Sequence, residues 1–87
     1  MQINETNSAV LAIRALGWTL DEPSRASRFL ALTGLTPDAL RSGLGEPATQ
    51  AAILSFLEAH EPDLIACAGE LGVAPAALIA ARRELEA

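Results

Sequence analysis

The chain has 87 residues and a net charge of −5. That is the length of a single helical domain, residues 1–87, with a surface too acidic to favour nucleic acid or an anionic membrane. One cysteine, Cys67, excludes an internal disulfide, no apolar run reaches the roughly 18 residues of a spanning helix, and the polar stretch Met1 to Ser8 lacks the build of a secretion signal. The expected setting is therefore a reducing compartment, the cytoplasm, with no membrane role.

Aromatic residues are limited to Trp18, Phe29 and Phe56, so the core must be aliphatic, and the bias toward Ala and Leu favours helix. Proline in a first turn and glycine just past an end divide the chain into five or six short helices. The first runs from about Asn4 or Thr6 to Leu20, with Asn4, Thr6 and Asn7 as rival caps. Asp21 is expected to cap the second, with Glu22 and Pro23 in its first turn and Gly34 as its left-handed stop. Thr36 caps a short third helix that starts at Pro37, and Ser42-Gly43-Leu44-Gly45 breaks the chain. A fourth helix runs from near Pro47 to near His60, a fifth from Pro62 to Gly72, and a sixth from Pro75 onward. Connections this short predict an all-α, compact bundle.

The segment Gly34-Leu35-Thr36-Pro37-Asp38-Ala39-Leu40 matches Gly72-Val73-Ala74-Pro75-Ala76-Ala77-Leu78, and Glu22-Pro23 matches Glu61-Pro62. The offsets are 38 residues at the glycines and 39 at the glutamates. The chain reads either as two copies of a three-helix unit or as one bundle reusing its start and stop signals.

The first helix carries two apolar stripes. One is Ala9, Ile13, Leu16 and Leu20; the other is Leu11, Ala15 and Trp18. Such a helix is either central in the bundle or packed on two partners. Later helices show single apolar faces: Ala26, Phe29, Leu30 and Thr33; Ala52, Ile53, Phe56 and Leu57; Leu64, Cys67, Ala68 and Leu71; and Leu78, Ala81 and Leu85.

Candidate chemistry is sparse. His60 has acidic neighbours in Glu61 and Asp63, but no second histidine or thiol stands at ligand spacing for a metal. Ser55 lies five residues before His60, so on a continuous helix the two point different ways and form no nucleophilic pair. Gly43-Leu44-Gly45 lacks the strand and basic residue of a phosphate loop. Cys67 lies on an apolar face with no adjacent cation, as a buried structural thiol does. No catalytic residue, metal or cofactor is assigned. Residues 62–83 have helix-turn-helix spacing, but Ala74, Ala76, Ala77, Ile79 and Ala80 give the second helix no base-reading side chains, so nucleic acid is disfavoured.

Four of the six arginines lie in the first half. Asp21 can pair with Arg25, and Arg14 can stack on Trp18, both at i,i+4 spacing. Leu11, Arg14, Ala15, Trp18, Arg25 and Arg28 are therefore the candidate interaction surface, for a homodimer or another protein.

The string Ala15-Leu16-Gly17-Trp18, then Asp21-Glu22, Arg28-Phe29-Leu30-Ala31-Leu32-Thr33-Gly34-Leu35, Pro37 and Leu40-Arg41 resembles a bacterial family known as domain of unknown function 3572. Pro47, Ala52, Leu54 to Leu57, Glu61, Gly72, Pro75 and Ala81-Arg82 extend the likeness over nearly the whole chain. Where the family pattern has an aromatic in the fifth helix, this chain has Ile65 to Ala68. The resemblance implies a small helical protein and offers no catalytic residue to carry over. The leading expectation is a non-enzymatic protein–protein interaction module. The alternatives are a DNA-associated regulator using residues 62–83 and a small-molecule binder using His60 and Glu61.

Overall fold

The computed structural model describes residues 7–87, in six helices: α1 (Ser8–Leu20), α2 (Pro23–Thr33), α3 (Pro37–Gly43), α4 (Pro47–Glu58), α5 (Glu61–Leu71) and α6 (Pro75–Glu86). No strand occurs among the described residues. The all-α bundle expected from punctuation is what forms.

Local chemistry sets most boundaries. Asn7 caps α1, its Oδ1 accepting from the Val10 amide at 3.2 Å; the rival caps Asn4 and Thr6 lie outside the described residues. The α2 cap is Glu22 rather than Asp21. Its carboxylate accepts from the amides of Ser24 (3.0 Å) and Arg25 (2.8 Å) and from the Ser24 hydroxyl (2.6 Å), while Asp21 closes α1. Glutamate reaches amides that the shorter aspartate one residue earlier does not. Thr36 caps α3 through the Ala39 amide at 3.0 Å. Proline stands in the first turn of the last five helices, where a missing N–H costs nothing. Gly34 (φ 73°) and Gly72 (φ 72°) take the left-handed conformation that ends α2 and α5. Helix α4 stops at Glu58, short of His60, and His60 becomes the residue before α5.

Helices α1 and α4 cross at the centre, and α6 packs across both. Leu11, Ala12, Ala15, Phe29, Ile53, Leu54, Leu57, Cys67, Ala68 and Leu78 are sealed from solvent. The alanines let helices approach closely, and the two phenylalanines meet edge to face, with ring centroids 5.2 Å apart and planes at 86°. Two buried polar side chains find partners in the backbone: the Thr19 hydroxyl donates to the Ala15 carbonyl (2.8 Å), and Gln50 Nε2 to the Leu44 carbonyl (2.8 Å).

The internal likeness of the two halves is local. α1 contacts α2 as α4 contacts α5, but α6 lies across α1 and α4 while α3 sits at the edge, held to the core by Leu40. No helix among the described residues is long and apolar enough to cross a membrane singly. The α5–α6 pair reaches that length only across a 100° bend.

Candidate functional site

The six surface residues expected from sequence do not form one surface. Leu11 and Ala15 are core, with 1% and 0% exposure. Arg14 does not stack on Trp18; its Nη2 reaches 3.1 Å to the Leu71 carbonyl and closes the end of α5. Arg25 takes the stacking place, its guanidinium carbon 3.5 Å from the Trp18 ring centroid, and donates to the Trp18 carbonyl instead of pairing with Asp21. Trp18 is half-buried against the core, and Arg25 Nε is buried without a hydrogen-bond partner. Arg28 opens onto a groove between α2 and α4, and Arg14 onto a hollow shared with Ala9, Val10 and Ile13.

The outer side of α1 keeps Ile13 and Leu20 of the other stripe and adds Val10 and Gly17, which the sequence reading placed on neither. Val10, Ile13 and Leu20 are 39%, 40% and 41% exposed, and Gly17 between them is exposed too. A Cβ built on Gly17 meets nothing within 4 Å. Leu16, assigned to this stripe from sequence, turns inward instead. The Leu20 end opens onto an apolar crevice of about 290 Å³, lined by Leu16, Leu30, Leu40 and Leu44 with Pro37 and Arg41.

A larger groove, about 550 Å³, runs between α2 and α4. Phe56, Ala52 and Ala59 form its apolar lining, Leu32 stands at its rim 72% exposed, and Arg28, Thr33, Ser55 and His60 complete it. Sequence reasoning separated Ser55 from His60 on one helix. Because α4 ends at Glu58, the chain turns and brings both to this groove. Arg28 donates to Asp63 Oδ2, and His60 Nδ1 lies 2.9 Å from the same oxygen. Arg28 also lies over Phe56, 5.3 Å from its centroid. A groove shared by two helices leaves no periodic signal in either one; the pairing of Arg28 with Asp63, 35 residues away, is a tertiary fact.

Cys67 has the cations that sequence reading did not supply. Arg25 and Arg14 both act on it, but burial dominates and pushes the thiol up to about 11. It is a protonated core thiol. No group of three or more His, Cys, Asp or Glu able to hold a metal ion occurs among the described residues. Helices α5 and α6 meet at 100°, within the helix-turn-helix range. Yet α6 buries Leu78 and Ala81, ties Arg82 to Glu58 and Glu86, and leaves Ala76, Ala80, Arg83 and Glu84 outside.

Fold and surface together define a small all-α bundle with one unpartnered helix stripe and one mixed groove. The chain belongs to the family described as protein of unknown function, DUF3572, whose model matches residues 5–87. Neither curated proteins nor solved structures gave a significant match.

Proposed function

We propose that the chain is a non-enzymatic protein-interaction module, docking through the outer stripe of α1 onto the same stripe of a second copy. The observation that carries this reading is the spacing of Val10, Ile13, Gly17 and Leu20. Steps of three, four and three residues are the seam of a two-helix contact, and this seam faces solvent.

Gly17 supports it. A glycine inside a helix costs about 1 kcal/mol relative to alanine. Nothing in the fold occupies the space its side chain would take. The isolated chain thus has no steric use for it, whereas two helices crossing there approach more closely. The crevice beside Leu20 offers a pocket for an apolar side chain of the facing copy. A two-fold arrangement satisfies both stripes with one contact.

Sedimentation equilibrium over a wide concentration range tests it. The wild type is expected to move from monomer toward dimer mass, and Ile13→Asp to stay monomeric while folded. A wild type that is monomeric throughout contradicts the second copy as occupant. Loss, in Ile13→Asp, of a cross-link to a different protein would assign the stripe to a foreign helix.

A further inference from the structure

We infer that the groove between α2 and α4 is a binding site for a small apolar monocarboxylic acid, its carboxylate held by Arg28 and its apolar body lying along Ala52, Phe56 and Ala59. This stands apart from the α1 stripe and does not depend on it.

Charge is the first argument. The chain has eleven acidic residues against six arginines, yet no acid lines this groove; its only ionisable lining residues are Arg28 and His60. Geometry is the second. Asp63 stands behind them with its side chain 16% exposed, while Arg28 and His60 are 42% and 51% exposed. The Asp63 carboxylate orients both groups without lining the groove. Arg28 reaches Asp63 through Nη2 alone, so Nη1 and Nε make no protein hydrogen bond among the described residues. The remaining N–H donors of the guanidinium are open to a ligand carboxylate. Phe56 holds the guanidinium plane from below, which limits the rotamer freedom lost on binding. The volume, about 550 Å³, lies within the range of small-molecule sites, and an apolar lining with few polar groups is their usual composition.

The test is a titration of isotope-labelled protein with 4-phenylbutyrate and with 4-phenylbutyramide, followed by amide chemical shifts. The acid is expected to give saturable shifts centred on Leu32, Ala52, Phe56, Ala59 and His60, and to bind about tenfold more tightly than the amide. Arg28→Gln is expected to erase the preference for the acid, with the rest of the spectrum unchanged. Ala52→Leu, which fills the groove and leaves Arg28 in place, is expected to abolish binding of both probes. Equal affinity for acid and amide, shifts centred elsewhere, or no saturable shift with the acid would each overturn the inference.

Discussion

Glu22 gathers three donors at the start of α2, the amides of Ser24 and Arg25 and the Ser24 hydroxyl. The hydroxyl first, then the two amides, hold its carboxyl below the ordinary 4.5. A carboxylate whose pKa falls on folding stabilises the native state above its unfolded pKa and loses that contribution as pH drops through the folded value. Glu22→Gln is therefore expected to unfold at lower urea concentration than wild type at pH 7. The gap should narrow below pH 4.5, which urea titrations at several pH values would read out. Phe29 is the contrasting case: it is sealed, at 0% exposure, edge-on to Phe56. Phe29→Ala is expected to cost about 3–5 kcal/mol, measured by the same titration at pH 7, because the bundle has few other large side chains to close the cavity. Neither role is equally visible in sequence. Phe29 announces itself on an apolar face. Glu22 competes with Asp21, and only the loop geometry decides between them.

At the scale of elements, the starts and stops were legible because each is set by a residue and its near neighbours. The five prolines and the two left-handed glycines fall where the sequence reading expects. These glycines give a paired prediction with Gly17. Gly72→Ala forces a side chain into φ 72° and is expected to cost about 1–2 kcal/mol. Gly17→Ala, in an open helical position, is expected to gain about 1 kcal/mol. Thermal melts of the two variants at low concentration, where any dimer has dissociated, would show shifts of opposite sign. The facing of α1 was not legible. Both its stripes are apolar, and hydropathy cannot rank them. Helices α4 and α6 pack on α1, whose Leu11, Ala12, Ala15 and Leu16 are buried, and Thr19 joins them because its hydroxyl folds back onto Ala15. Likewise, Arg14 and Trp18 have stacking spacing on one helix, but Leu71 and Arg25 offer each a better partner across the fold.

For the described residues as a whole, one core ties the helices together, and the Val10-Ile13-Gly17-Leu20 stripe and the α2–α4 groove are among the faces left without an internal partner. Of the residues expected on one surface, Leu11 and Ala15 lie on the buried side of α1. The groove escaped because its residues come from α2, α4 and the turn after α4, with no spacing in common. The central claim, that α1 docks a second copy through close approach at Gly17, separates cleanly from fold stability in one substitution. Sedimentation equilibrium of Gly17→Leu beside wild type is the most direct measurement. The account predicts that wild type self-associates while Gly17→Leu, folded and no less stable, sediments as a monomer at every concentration. A Gly17→Leu variant that dimerises as wild type does would contradict it.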